Sequence, residues 1–484
     1  MNTTISATNS QLPLEAVQHQ RTPLSRDTLV ILGFLVGEII AQIALLSPSA
    51  DAIRIPLRAF PFAGSIAMLF LTGRRHQLRL HPASTMLLMA VIIVAFGILH
   101  PERNTIKATL ATLGMYAAIA LPVIWVCQLR IDETLLRRII LVFWSFNVAS
   151  ALVGVGQTLQ PDWQWLQPNL SLVVQNFNDG GEGLKISLAN GARVFRPMGL
   201  SDQPGGAAMS GLVSIVFGMA LFLSTRNIWL KVAVIIAWGL GLYCILLSQV
   251  RSVLVMTGVC VIAFAFVMAR RGEFSRLVGV LLWLGAAVAV AGTAAVVVGG
   301  ETVTSRLMTL VEEDPTTVYM SNRGFFMEYT IRYAIPKYPV GAGPGRWGMM
   351  NYYFGTQDDP ESEPLWSEVN WTAWTYDGGI PLLITYVGAI GIALWQAWKI
   401  GRDRTNGTMG QWGAVMFAYN IGCLAVTFNC NLFMGQSGLD FWLLNAAMFA
   451  AAERQRAMRT QLAPPREIQP DPVSGPRSLL GMNT

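Results

Sequence analysis

A segment between residues 321 and 377 carries the residue types that could do chemistry. Its arginines and carboxylates include Arg323, Arg332, Arg346, Glu368 and Asp377. An arginine binds phosphate oxygens through paired hydrogen bonds, and a carboxylate can accept the proton of a hydroxyl group. The segment therefore favours a site for a phosphate or pyrophosphate beside a hydroxyl that must lose its proton.

A glycine-rich turn, GAGPGRWG, lies inside this segment at residues 341–348. Glycine allows tight turns that expose backbone N–H groups, which suits an anion, although an ordinary flexible turn has the same composition. Nearby tryptophans offer flat faces to sugar rings, or they form an interfacial belt at the membrane surface. The residues that we predict to bind substrate are Gly341, Gly343, Trp347, Asn370 and Trp371.

The composition is that of a membrane protein. Of 484 residues, 53% are hydrophobic and 13% are charged, whereas soluble domains carry about a quarter charged residues. Apolar runs of roughly 18 residues or more are typical of membrane-crossing helices. We predict an all-α polytopic membrane helical bundle of about 12 transmembrane helices within residues 27–453. The predicted spans are 28–47, 59–72, 83–99, 108–128, 139–158, 205–224, 232–248, 252–269, 277–299, 379–398, 412–432 and 438–452.

The distribution of basic residues predicts the orientation of the bundle. Arginine and lysine are concentrated in alternate loops, which places those loops in the cytoplasm. Both termini are then cytoplasmic, with an N-terminal tail at 1–26 and a disordered C-terminal tail at 454–484. Two large loops, at about 159–204 and 300–378, face outward and contain short helices. The net charge of +6 follows from this topology and does not indicate a nucleic-acid partner.

The first outward loop and a short outer turn add further candidates. The loop ends with Arg193, Arg196 and Asp202, and the turn SQVRS contains Arg251. Arginines at these positions could bind phosphate, or they could extend to lipid headgroups as anchors. All five cysteines fall in predicted helices and are expected to be buried, and no Cys/His metal pattern is present. We predict neither a metal nor a cofactor.

These features together resemble the superfamily of O-antigen ligases and O-antigen or exopolysaccharide polymerases. The resemblance covers about residues 190–395 and rests on three motifs in this order along the chain. They are the loop arginines Arg193 and Arg196, the SQVRS turn, and Arg323 followed by Pro339, Gly341 and Gly343. The resemblance implies a polytopic glycosyltransferase of the bacterial inner membrane with a periplasmic active site.

The resemblance also implies a substrate and a mechanism. The donor would be an undecaprenyl-pyrophosphate-linked oligosaccharide, and the transfer would be inverting and independent of metal. Membrane lipid and a chain-length regulator or export complex are the other partners implied. Arginines hold the pyrophosphate in such enzymes. The candidates for that role here are Arg193, Arg196, Arg251, Arg323, Arg332 and Arg346.

One departure from the family concerns the general base. Ligases of this family usually have a His-Asn pair shortly before a carboxylate and a glycine, but this chain has Glu368-Val369-Asn370 before Asp377-Gly378. All four histidines lie outside both large loops. We predict that the catalytic base is Glu368, Asp202 or Asp377, although Glu368 could also be a solvated loop acid. The departure favours a polysaccharide polymerase over a ligase.

Three other functions remain open at this stage. An O-antigen ligase would transfer the glycan to lipid A core instead of extending a polymer. A flippase or transporter for lipid-linked saccharides would also be a helical bundle, but internal repeats and broken helices are typical of that class. A scaffold in an export complex would not need arginines concentrated in two outward loops.

Overall fold

The structure is a computed structural model in which almost every described residue is helical. It describes residues 25–72, 79–160, 162–163, 184–187, 191, 193–201, 203, 205–312, 314–356 and 365–462. The N-terminal tail up to residue 24, most of the first outward loop, Asp202 and the chain beyond 462 lie outside these ranges. The predicted C-terminal tail begins at 454, whereas the last helix continues to Leu462.

The described ranges contain fourteen main helices, several shorter helical turns and one small hairpin. The helices are α1 (Arg26–Ala44), α2 (Arg54–Thr72), α3 (Ser84–Phe96), α4 (Ile106–Ala120), α5 (Glu133–Leu159), α6 (Gly206–Ser224), α7 (Ile228–Ser248), α8 (Arg251–Arg271), α9 (Phe274–Glu312), α10 (315–337), α11 (Gly348–Phe354), α12 (Asn370–Arg402), α13 (Thr408–Val426) and α14 (Gln436–Leu462). Strands β1 (Lys185–Ser187) and β2 (Arg193–Phe195) pair antiparallel.

Nine helices of the described ranges are long and apolar enough to cross a membrane. They are α1, α2, α4 as extended to Gln128, α5, α6, α7, α8, α9 and α12. The other three predicted spans overlap α3, which is apolar but shorter, and α13 and α14. The prediction of a multi-pass helical bundle is thus confirmed, and the count of twelve stays a prediction.

Helix starts follow from local side-chain chemistry. Ser25, Thr105 and Asp132 precede α1, α4 and α5, and their side-chain oxygens accept hydrogen bonds from backbone N–H groups of the first turn. For Asp132 the donor is the backbone nitrogen of Leu135 at 2.7 Å. Such N-caps satisfy N–H groups that the helix leaves without an internal partner.

Glycines allow the central helices to approach closely. A Cβ atom added to Gly211 of α6 would lie 2.6 Å from the carbonyl oxygen of Gly241 in α7, so neither position has room for a side chain. The same close contact joins Gly401 of α12 to Gly413 of α13. Small residues at helix contacts increase van der Waals packing where lipid removes the hydrophobic driving force. α6 is consequently buried over most of its surface.

A reciprocal amide pair joins α13 to α14 in the bundle interior. The side-chain nitrogen of Asn420 donates to Oδ1 of Asn445 at 2.7 Å, and Asn445 donates back to Oδ1 of Asn420 at 2.9 Å. Both residues are fully buried. Each amide therefore satisfies the other in a place where an unpaired polar group would be costly.

Two of the long helices bend at glycines with positive φ. α9 bends at Gly300, where φ is 54°, and α12 bends at Gly379, where φ is 63°. A side chain at residue 379 would clash with the carbonyl oxygen of Pro339, so this bend also admits the glycine-rich turn. The bend divides α12 into an outer part that begins at Asn370 and a longer apolar part that continues to Arg402.

The helical segment α10 differs from its prediction at both ends. The sequence predicts a helix over 323–335 that Pro336 stops, whereas α10 begins at Pro315 and includes Pro336 in its last turn. Two π-helical turns, Met320–Gly324 and Thr330–Ala334, interrupt it. Such turns are frequently found at functional sites, and the first of them contains Arg323.

Candidate functional site

Arg323 and Glu368 form an ion pair beside the outer end of α12. Arg323 lies in the first π turn of α10, and Glu368 precedes α12 by two residues. A guanidinium nitrogen of Arg323 contacts a carboxylate oxygen of Glu368, while Nε1 of Trp366 donates to Oε1 of the same carboxylate at 3.1 Å. The side chains of Arg323 and Glu368 are 42% and 26% exposed. The pair is thus partly accessible to solvent.

The electrostatics of Arg323 suit an anionic ligand. Burial lowers the pKa of its guanidinium, and Cys430 nearby opposes this shift. An arginine nevertheless stays protonated at any ordinary pH. A partly desolvated cation attracts an anion more strongly than a fully hydrated one does, because water screens the interaction less.

The turn between α13 and α14 covers one side of this pair. The backbone N–H of Asn370 donates to the carbonyl of Thr427 at 3.1 Å, and Oδ1 of Asn370 accepts from the backbone of Phe433 at 3.3 Å. Nε1 of Trp371 donates to Oγ1 of Thr427 at 3.1 Å. Asn370 is fully buried, so the observed role of both predicted substrate-binding residues is to join α12 to this turn.

Cys430 lies in the same turn and corrects the prediction that all five cysteines are buried in helices. α13 ends at Val426, four residues earlier, so Cys430 lies outside a helix and is exposed as a residue, while burial of its sulfur raises the pKa of the thiol to about 11. Cys127, Cys244, Cys260 and Cys423 are buried. Cys430 is therefore a natural reporter for this outer surface.

We expect an impermeant maleimide added to intact spheroplasts to label Cys430. The expected stoichiometry is one thiol per chain, because the other four cysteines are buried. Cys430→Ser should abolish the labelling, whereas Cys423→Ser, one helical turn before the end of α13, should leave it unchanged. Labelling that appears only after the membrane is permeabilised would reverse the proposed orientation of the bundle.

The glycine-rich turn is held by the outer part of α12. Gly341, Gly343, Gly345 and Gly348 all have positive φ, a conformation that favours glycine. The backbone N–H of Ala342 donates to the carbonyl of Tyr376 at 2.7 Å. A Cβ at residue 345 would lie 2.6 Å from the backbone of α4. These glycines let the turn fit between α4 and α12, which accounts for their number without a ligand.

The buried carboxylate of Asp377 holds the glycine-rich turn in place through hydrogen bonds. Its carboxylate oxygens accept hydrogen bonds from the hydroxyl of Tyr116 at 2.9 Å and from Nε1 of Trp347 at 3.0 Å. The backbone N–H of Gly345 donates to it as well. Asp377 is 2% exposed. A buried carboxylate that accepts several hydrogen bonds is well placed to position Trp347 and poorly placed to meet a sugar hydroxyl.

Two of the predicted pyrophosphate-binding arginines have carboxylate partners elsewhere. Arg346 is 6% exposed and donates to Glu102 at 2.8 Å and to the carbonyl of Ala342 at 3.1 Å. Arg332 pairs with Glu328 on the same helical segment at 3.1 Å, in an exposed position. Arg323 pairs with a different carboxylate, Glu368. The structure therefore does not bring the three arginines to one carboxylate.

The remaining predicted arginines lie on neighbouring outer elements. Arg193 lies in β2, Arg196 follows that strand, and Arg251 begins α8 two residues after Gln249, whose φ is 56°. A Cβ on Gly205 would lie 3.7 Å from Val250, and one on Gly435 would lie 4.0 Å from the side chain of Gln203. The end of the first loop therefore lies between the SQVRS turn and the turn that contains Cys430.

Sequence patterns missed several partners in these sites. Glu102 and Tyr116, which hold Arg346 and Asp377, are more than 200 residues distant from them in sequence. A lone tyrosine inside an apolar span carries no signal of such a contact. Trp366 is one of the tryptophans near the glycine-rich turn in the sequence, and its spacing of two from Glu368 allows the observed hydrogen bond.

Comparison with known proteins gives no match. The chain matches no protein-family model, and no curated protein is significantly similar to it in sequence.

Proposed function

We propose that the protein is a polymerase of a bacterial cell-surface polysaccharide. It transfers a glycan from undecaprenyl pyrophosphate to a sugar hydroxyl of an acceptor chain on the outer face of the cytoplasmic membrane. One observation carries this proposal: the Arg323 guanidinium and the Glu368 carboxylate are in contact and partly exposed at one end of a bundle of membrane-length helices. A cation for the leaving pyrophosphate and a base for the acceptor hydroxyl then share one place.

The proposed reaction assigns one step to each residue. The acceptor oxygen attacks the anomeric carbon of the donor from the face opposite the pyrophosphate, and the bond from that carbon to the pyrophosphate oxygen breaks. Negative charge grows on the pyrophosphate, and Arg323 stabilises it in a partly desolvated position. Glu368 accepts the proton that the acceptor hydroxyl loses. The products are the extended glycan, with inverted configuration, and the lipid pyrophosphate.

The ion pair suggests an order of events. A carboxylate beside a guanidinium is a weak base, because the positive charge stabilises its ionised form. A pyrophosphate carries more negative charge than one carboxylate does and competes for the same guanidinium. When the donor displaces Glu368 from Arg323, the carboxylate loses that stabilisation and becomes a stronger base. Donor binding thereby prepares the base for the acceptor.

The contacts that the other candidate residues make reduce the set of residues assigned to the proposed site. Arg193, Arg196 and Arg251 stay in it as predicted pyrophosphate ligands. Arg332, Arg346 and Asp377 leave it, because each is bound to other protein groups. Glu368 is the preferred base, and the half-buried Trp347 and Trp371 stay predicted faces for a sugar ring.

Chain extension by the purified protein tests this proposal. The protein in lipid nanodiscs receives an undecaprenyl-pyrophosphate-linked repeat unit, and the products are separated by size. We expect a ladder of longer lipid-linked glycans and release of undecaprenyl pyrophosphate. A ligase would make no ladder and would require lipid A core as the acceptor. Movement of the donor across a proteoliposome membrane without any extension would contradict the proposal and favour a flippase.

A further inference from the structure

A basic cavity lies at the opposite end of α12 from the Arg323–Glu368 pair. Its volume is about 420 Å³, within the roughly 300–1,000 Å³ that is typical of small-molecule sites. Four of its five lining residues are cationic. They are Lys399, Arg402, Arg404 and Arg456, and the fifth is Asp403. The cavity thus combines a defined volume with a formal excess of three positive charges.

Two of these cations are available to a ligand. Within the described ranges, neither Lys399 nor Arg402 takes part in an ion pair, and both are exposed. Arg456 pairs with Glu453 at 2.6 Å, and Arg404 makes only a long contact of 3.5 Å to a backbone carbonyl. A cluster in which positive charges outnumber the carboxylates attracts an anion, since each excess charge raises the local potential.

The single carboxylate in the cavity offsets only one of its four positive charges. Oδ1 of Asp403 accepts hydrogen bonds from the backbone and the hydroxyl of Thr405, at 2.9 Å and 2.7 Å. The Thr405 hydroxyl is the main reason why the pKa of Asp403 lies below its ordinary value, and Arg456 and Arg459 lower it further. Asp403 is therefore ionised, and it fixes the turn that presents Arg404.

The surroundings of the cavity place it at a membrane surface. α12 is apolar and long enough to cross a bilayer, and the basic residues occupy its last turn and the loop that follows. The guanidinium of Arg402 lies 5.7 Å from the ring centre of Trp395, which is 53% exposed. Tryptophan and arginine in this arrangement are typical of the headgroup level of a bilayer.

We propose that this cavity binds the phosphate groups of an anionic phospholipid headgroup. Basic pockets between membrane helices on the cytoplasmic side suit headgroups with several phosphate charges, and arginine adds paired hydrogen bonds to phosphate oxygens. The acyl chains extend from there along the exposed apolar surface next to Trp395. A phospholipid with two phosphates, such as diphosphatidylglycerol, uses the four cations better than one with a single phosphate.

Lipid binding to full-length protein variants tests this proposal by native mass spectrometry and by thermal unfolding in detergent. Lys399→Gln with Arg402→Gln should weaken binding of diphosphatidylglycerol roughly 25-fold, since each basic residue at an anionic surface contributes about fivefold. Asp403→Asn should strengthen binding about fivefold, because the amide oxygen can still accept from Thr405 while the negative charge is lost. Without lipid, all variants should unfold at the temperature of the unchanged protein.

A matched control removes the same two charges elsewhere. Arg226→Gln with Lys231→Gln changes an arginine between α6 and α7 and a lysine in the first turn of α7, on the same predicted side, and should leave lipid binding unchanged. If both double variants weaken lipid binding equally, the effect comes from the general surface charge, and the proposal is overturned. Soluble pyrophosphate is the second arm of the test. If it binds as tightly as the lipid and displaces it, the site is for a soluble phosphate and the lipid assignment is wrong.

Discussion

Glu368→Gln should reduce polymerisation by about 10²-fold or more, the range expected for loss of a general base. Glutamine keeps the shape of the side chain and can still accept the hydrogen bond from Trp366, but it cannot take a proton. The same change removes the charge that competes for Arg323. Donor binding, measured as protection of Cys430 from maleimide, should therefore be at least as tight as in the unchanged protein.

The structure supplies a matched control for this variant. Glu328 also pairs with an arginine of α10, in a more exposed position, so Glu328→Gln removes an equivalent carboxylate without touching the proposed base. It should leave polymerisation close to normal. If Glu368→Gln polymerises normally, Glu368 is not the base. Loss of activity in Asp377→Asn would not by itself show that Asp377 is the general base, because Asp377 also positions Trp347.

Arg323→Ala should reduce polymerisation by a similar factor, about 10²-fold or more, because a charge that stabilises the leaving group is lost. Unlike the change at Glu368, it should also weaken donor protection of Cys430. Arg323→Lys should restore activity only in part, since an ammonium cannot make the paired hydrogen bonds of a guanidinium. Initial rates of chain extension at several donor concentrations separate the effect on binding from the effect on chemistry.

Arg332→Ala is the control for this second prediction. Arg332 lies on the same helical segment and pairs with Glu328 within it, so its loss should change activity little. The double variant Arg323→Ala with Glu368→Gln should be much less impaired than the product of the two single effects, because residues that act as a unit are not additive. Effects that multiply independently would argue against a shared step.

The sequence predicted the membrane helices well because hydropathy depends on local composition. Each predicted span overlaps a helix, and the ends differ by a few residues in most cases. Among the helix starts, the largest difference concerns α12, which begins at Asn370, whereas its predicted span begins at 379. The outer part contains Thr372, Thr375 and Asp377, which hydropathy assigns to water, but protein buries all three. A local scale cannot detect that kind of burial.

The candidate site was predicted only in part, for a similar reason. The types of residue indicated Arg323 and Glu368, but their pairing depends on a π turn and on the path of the chain between α11 and α12. Helical periodicity alone could not choose between Arg323 and Arg332, which a regular helix would direct to opposite faces. The carboxylate partner of each arginine makes the distinction: Glu368 for one and Glu328 for the other.

The reciprocal amide pair between α13 and α14 has a consequence for biogenesis. Neither helix is among those apolar enough to enter a membrane independently, and Asn420 and Asn445 each add a polar group that lipid cannot satisfy. When the two helices pack together, each amide donates a hydrogen bond to the other, and most of the polar groups of both side chains are then satisfied. We therefore expect the translocation machinery to release α13 and α14 into the bilayer together, as a hairpin, with the outer turn that contains Cys430 at its tip.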